Sequence, residues 1–215
     1  MSRRRVERDV ELVREKDWPS WAESGLQGVA FWIGHRRAMY PHYPLSEGAL
    51  VAELCNLIAG KLSDSHMLKC EVMYATLLGK RQPKADSVLT ERARADLVVA
   101  RRERSGNETP IVIIEVKRLS AGDAQLNADL RRLAEARRAL PGIKSYLFVI
   151  AEAQRPDRFV SVKGSSKRGM TPIPGDKGHY RVRRTFKAAH AFERRERAQY
   201  CCLVEVFGKA KSSFQ

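Results

Sequence analysis

The chain has 215 residues, with 40 Lys and Arg against 25 Asp and Glu, a formal net charge of +15. That length suits one domain with some decoration, and a hydrophobic share of 43% excludes wholesale disorder. No apolar run approaches the ~20 residues of a membrane span, and the basic start Met1-Ser2-Arg3-Arg4-Arg5 leads into no signal-type apolar stretch. The expectation is therefore a soluble, cytoplasmic protein with no membrane partner.

Residues 1–17 mix Val6, Val10, Leu12 and Val13 with charges and read as a short amphipathic helix ended by Pro19. Residues 18–45 hold Trp18, Trp21, Trp32, Tyr40, Tyr43 and three prolines, which predicts an irregular segment docked on a core. Ser46 is a suitable N-cap for a helix carrying Leu50, Val51, Leu54, Leu57, Ile58 and Leu62 at helical spacing. Residues 68–78 and 95–100 read as strands around a loop over 79–92. A Gly106-Asn107 turn then leads into 111–117, an almost continuous β-branched run of the buried kind. A helix is expected over 121–139, stopped by Pro141-Gly142, and a buried strand over 145–151. Strand, helix, strand implies a right-handed parallel crossover and so a mixed sheet. Beyond it come a basic loop over 161–178, a strand over 179–186, a helix over 187–198 and a last strand over 200–207. The division expected is an N-terminal extension over 1–45, a core over 46–151 and a C-terminal extension over 152–215 in the same domain.

A chain this basic is drawn to polyanions, because binding releases counterions condensed on phosphates; nucleic acid is the natural partner. Cys55, Cys70, Cys201 and Cys202 match neither zinc-knuckle nor disulfide spacing, and each sits in an apolar run, so buried reduced thiols are expected. The five histidines share no metal-ligand spacing.

The residues with chemistry are Asp96, at the start of one strand, and Glu115 and Lys117, two apart on the next. Side chains two apart on a strand share a face. Val116 between them points into the apolar layer, while its carbonyl can turn to the same edge. Asp96, Glu115 and that carbonyl make an all-oxygen donor set of the kind that suits Mg²⁺ or Mn²⁺. An ion there neutralises charge on a phosphodiester and lowers the pKa of a water, and Lys117 beside it orients or deprotonates that water. The bland alternative is an ion pair closing the end of the sheet.

Asp-x18-Glu-x-Lys on consecutive predicted strands resembles the signature of the PD-(D/E)xK, or restriction-endonuclease-like, nuclease superfamily, although Ala95 stands where the motif's proline would be. The resemblance covers residues 46–151 and implies an α/β fold with a mixed central sheet flanked by helices in the order αβββαβ. It also implies a Mg²⁺-dependent endonuclease with Asp96, Glu115 and Lys117 at its centre. The family commonly places a glutamate on the helix before the sheet. Of Glu47 and Glu53, Glu47 falls amid Leu50, Leu54 and Ile58 at about 100° per residue and is preferred. Some branches carry a glutamine on the following helix, where Gln125 stands. DNA is the implied substrate ahead of RNA, and a homodimer is expected, since many relatives that cut both strands are dimers. From the loop's charge, Lys163, Lys167 and Arg168 are the candidate phosphate contacts. The rival readings are a non-catalytic nucleic-acid-binding module on the same scaffold and an RNA-directed nuclease.

Overall fold

The computed structural model of the chain describes residues 18–40, 42–43, 45–79, 87–90, 92–152, 154–188 and 198–209. The elements in order are α1 (Ser20–Met39), α2 (Glu47–Ala59), β1 (His66–Met73), α3 (Tyr74–Leu78), β2 (Arg94–Arg102) and β3 (Glu108–Arg118). After a 3₁₀ turn over Leu119–Ala121 come α4 (Asp123–Ala139), β4 (Lys144–Ala151), β5 (Thr171–Pro172), β6 (His179–Ala188) and β7 (Gln199–Phe207). The predicted helix over 1–17 lies outside the described residues, as does most of the one predicted over 187–198; Lys187 and Ala188 end β6.

Among the described residues the strands form one seven-stranded sheet in the order β1-β2-β3-β4-β7-β6-β5. Of these strands only β3 and β4 pair in parallel, joined through α4; the remaining neighbours are antiparallel. The fold is thus mixed α/β, as the alternation of elements predicts, and β5–β7 continue the sheet begun by the central segment. Among the described residues no helix is long and apolar enough to cross a membrane.

Helices cover both faces. On one, Leu126, Leu130 and Leu133 of α4 pack with Ile113, Leu147, Val149 and Val204. On the other, Leu26, Val29 and Ile33 of α1 and Leu50, Leu54 and Ile58 of α2 pack on Ile114, Val116, Phe148 and Leu203. Each such side chain, fully buried, stabilises the fold by about 1.5–3 kcal/mol relative to exposure. The strand pleat sorts β3: Val112, Ile114 and Val116 meet α1 and α2, while Ile113 meets α4. It sorts the adjacent cysteines too, Cys201 to the first layer and Cys202 to the other.

Residues 20–39 are a 20-residue helix, not the irregular segment that their aromatic and proline content suggests. Pro19 sits at the helix entrance, where its missing N–H costs nothing. Trp18 donates Nε1–H to Glu23, and Trp21 and Trp32 pack at the edge of the α1–α2 layer. Gly25 lets α2 approach: a Cβ there would stand 2.9 Å from Ile58 Cγ1. The strand predicted over 68–78 ends at Met73 and turns into α3. The cysteine expectation holds for Cys201 and Cys202 but not for the other pair, since Cys55 is half-buried and Cys70 exposed.

Candidate functional site

β2 and β3 are in register up to Leu97↔Ile114, and β1 and β2 are in register on both sides of the next position, at Cys70↔Leu97 and Val72↔Ala95. One residue further, the antiparallel register sets Glu71, Asp96 and Glu115 abreast on three neighbouring strands. Like charges placed opposite one another destabilise a sheet, so this row is not there for the sheet's benefit. Glu71 departs from strand geometry with φ 53°, a left-handed backbone that a β-carbon disfavours.

The β2–β3 ladder stops at this level, and the freed Val116 N–H donates to Asp96 Oδ2 at 2.6 Å. A strand residue directs its N–H and C=O to the same edge, so the Val116 carbonyl faces the β2 side as well. Glu115 is the buried member of the row, 2% exposed, and accepts a hydrogen bond from the buried Tyr74 hydroxyl at 2.8 Å. Arg132 of α4 stands 3.5 Å from Glu115 and also pairs with Asp129. Lys117 Nζ donates to Glu47 Oε1 at 2.9 Å and lies 3.5 Å from Asp129 Oδ2.

These contacts fix the electrostatics. Burial first, then the charge of Asp96, pushes Glu115 up to about 8 against the pull of Arg132 and Tyr74. Burial likewise holds Asp96 and Asp129 above the ordinary carboxyl range. Burial opposes charge on Lys117, but the Glu47 hydrogen bond and the charges of Asp129, Glu47 and Asp96 outweigh it, and its pKa is raised. Lys117 is therefore an ammonium at neutral pH, suited to orienting a group and offsetting negative charge rather than to taking a proton. Five carboxyl groups, Glu47, Glu71, Asp96, Glu115 and Asp129, meet two cations, Lys117 and Arg132. That surplus of hard oxygen donors suits a divalent cation. Among the described residues no three acidic, His or Cys side chains are already spaced around a common point for an ion; Asp96 and Glu115 are turned onto Val116 and Tyr74 instead.

The site opens to an uncovered cleft of about 520 Å³ between α2 and the β1–β2 edge, lined by Glu47, Cys55, Cys70, Glu71 and Asp96 among others. Glu47 is well placed at the first turn of α2, where Ser46 Oγ caps the Ala49 N–H and the helix dipole favours an acid. Gln125 is exposed on the first turns of α4, and the residue of that helix that meets Lys117 is Asp129, one turn further on. Lys163, Lys167 and Arg168 are exposed in the segment between β4 and β5 and are not among the cleft's lining residues. Three arginines of α4 have structural partners: Arg132 as above, Arg137 on Glu205 and the Val206 carbonyl, Arg138 on Asp176 and the Gly208 carbonyl.

Sequence reasoning missed Tyr74, Glu71 and Asp129, and the turn of Arg132 onto Glu115. Tyr74 holds the buried Glu115 carboxyl, and its hydrogen bond favours the ionised form. Tyr74→Phe is expected to cost about 1–3 kcal/mol of stability at pH 8, the penalty of leaving a buried acceptor short of a donor, and to raise the Glu115 pKa further. Thermal melts of the two proteins at pH 5 and pH 8 measure it, with the larger loss expected at pH 8.

No family model matches the chain, and no curated protein matches it.

Proposed function

We propose that the chain is a metal-dependent phosphodiesterase acting on nucleic acid, DNA ahead of RNA, as an endonuclease. The observation that carries this reading is that Asp96 lies within electrostatic reach of both Glu115 and Lys117 at one end of β2 and β3, beside an open cleft. The order α2-β1-α3-β2-β3-α4-β4 supports it, since apart from the five-residue α3 it has the αβββαβ order of the restriction-endonuclease-like core that the motif resembles. The net charge of +15 supports an anionic polymer as substrate.

In this reading Asp96, Glu115 and the Val116 carbonyl would hold Mg²⁺ or Mn²⁺. Such an ion, when bound, neutralises a phosphate oxygen and makes water a better nucleophile. The protein supplies the rest. Lys117, kept charged by Glu47 and Asp129, orients the attacking water and balances charge that develops on the phosphoryl oxygens. Arg132 and Tyr74 hold Glu115 in place from below. Lys163, Lys167 and Arg168 contribute attraction for the polymer away from the cleft lining. A homodimer would present two such sites to two strands.

The test is direct. The protein is incubated with plasmid and with total RNA in Mg²⁺, Mn²⁺ or EDTA, beside Asp96→Ala and Lys117→Ala. Cleavage that needs the metal and disappears in both variants is expected, with plasmid cut in preference to RNA. Retarded migration without cutting, equal in all three proteins, would instead assign a binding module on the same scaffold.

A further inference from the structure

Cys55, on α2 at the edge of the α1–α2 layer, and the exposed Cys70 on β1 have their Sγ atoms 3.2 Å apart, although 15 positions separate them in the chain. Both line the cleft beside Glu47, Glu71 and Asp96. Cys55 lies two turns along α2 from Glu47 on the cleft-facing side, and Cys70 immediately precedes the left-handed Glu71. A disulfide bond is about 2.05 Å long, so joining these sulfurs needs an approach of about 1 Å, within the reach of side-chain rotation. Two thiols of separate elements, in contact at the mouth of a cleft, one exposed and one half-buried, are placed to react with each other.

We infer that Cys55 and Cys70 form a peroxide-responsive dithiol whose disulfide clamps α2 to β1 along the cleft. The exposed Cys70 reacts first. Its thiolate sulfur attacks one peroxide oxygen, the O–O bond breaks, and the departing hydroxide leaves as water with the thiol proton. The sulfur of Cys55 then attacks the Cys70 sulfenic acid, the S–O bond breaks, and a second water departs with the Cys55 proton. Two thiols are oxidised to one disulfide and one hydrogen peroxide is reduced to two waters. The order follows from exposure, and it agrees with the burial and neighbouring thiol that push Cys55 up to about 12. The clamp joins the helix of Glu47 to the strand of Glu71, so it fixes the width of the cleft. That it slows hydrolysis rests on the proposed function; that it forms does not.

The experiment treats the full chain with a stoichiometric amount of hydrogen peroxide, alkylates the remaining thiols and digests the product for mass spectrometry. A Cys55–Cys70 linked peptide is expected, lost on adding dithiothreitol and absent from Cys55→Ser and Cys70→Ser, while Cys201 and Cys202 stay alkylatable after unfolding. In Cys55→Ser the Cys70 sulfenic acid has no resolving partner and is trapped by dimedone. Oxidation should raise the Tm of the parent protein by about 5 °C or more and leave that of Cys55→Ser unchanged, since the crosslink limits the unfolded chain. Metal-dependent cleavage of plasmid should fall on oxidation and return on reduction in the parent only. Peroxide that yields only sulfinic acid at Cys70, or only links between chains, overturns the dithiol. A Cys55–Cys70 link in a protein that cuts nothing even when reduced keeps the dithiol and overturns the hydrolase. A link that leaves cutting unchanged overturns the control of one by the other.

Discussion

Lys117→Ala is expected to slow phosphodiester cleavage by about 10²–10³-fold while changing the affinity for uncut substrate only a few-fold. The ammonium sits between Glu47 at 2.9 Å and Asp129 at 3.5 Å, on the strand face it shares with Glu115. One charge among the 40 Lys and Arg of the chain contributes little to holding a long polyanion. On the proposed function its effect is reserved for the moment when negative charge grows on the phosphoryl oxygens, and an interaction stronger in the transition state than in the ground state appears in the rate. Folding should suffer less than chemistry. Asp129 keeps Arg132 and the Glu47 side chain is 39% exposed, so a loss of about 1–2 kcal/mol is expected from the uncompensated carboxyl groups. Lys117→Arg restores the charge and most of that stability. It should not restore the rate, because a planar guanidinium cannot occupy the position of a compact ammonium held by two carboxylates. Single-turnover cleavage, gel-shift affinity and thermal melts on the three proteins separate these effects. Full activity in the alanine variant, or a loss of affinity as large as the loss of rate, would remove Lys117 from the chemistry.

The parts of this site legible in the sequence are those that rest on strand alternation. Glu115 and Lys117 two apart in a β-branched run had to share a face, and Val116 had to enter the opposite layer, as it does. The parts that were not legible depend on registers between strands and on acids inside helices. Asp129 falls with Leu126, Leu130 and Leu133 on the buried stripe of α4. An acid on an apolar stripe needs a cation, and that stripe was the available signal. Glu71 could not be paired with Asp96 before the β1–β2 register was known. Tyr74 falls inside the strand predicted over 68–78 because Met73-Tyr74 continues an apolar run, and nothing local marks the turn into α3. For α1 the aromatic and proline count concealed a regular pattern: Ala22, Leu26, Val29, Ala30 and Ile33 recur at helical spacing, and the glycines between them serve close approach to α2 rather than breaking the helix. Arg137 and Arg138 reach past the surface of α4 to Glu205 and Asp176, partners that a helical wheel cannot show.

Without divalent cations the protein is expected to lose stability as pH rises from about 5 to 9, and Glu115→Gln is expected to flatten that slope. Glu115 is pushed up to about 8 from an ordinary 4.5. Below 4.5 the folded and unfolded states both carry the proton and the contribution is complete. Between 4.5 and about 8 the unfolded chain sheds its proton while the folded one keeps it, so stability falls; above about 8 the contribution is gone. The accumulated loss is of the order of a few kcal/mol. Asp96 and Asp129 are raised in the same direction, and Asp96 acts directly on Glu115, so the pair titrates jointly and the slope belongs to the cluster. A glutamine at 115 keeps an oxygen for the Tyr74 hydroxyl but has no proton to lose, and it should melt higher than the parent at pH 8–9. Magnesium must act in the opposite sense if Asp96 and Glu115 hold it, because binding favours their ionised forms. At a hundredfold excess over its dissociation constant it should return about 2.7 kcal/mol to the parent at pH 8. Glu115→Gln should gain far less. Melts of both proteins across pH 5–9, with and without Mg²⁺, are sufficient. Were the ion to stabilise the two equally, or the parent to melt at one temperature throughout, Glu115 would have no part in holding a cation, and the proposed hydrolysis would lose its charge carrier.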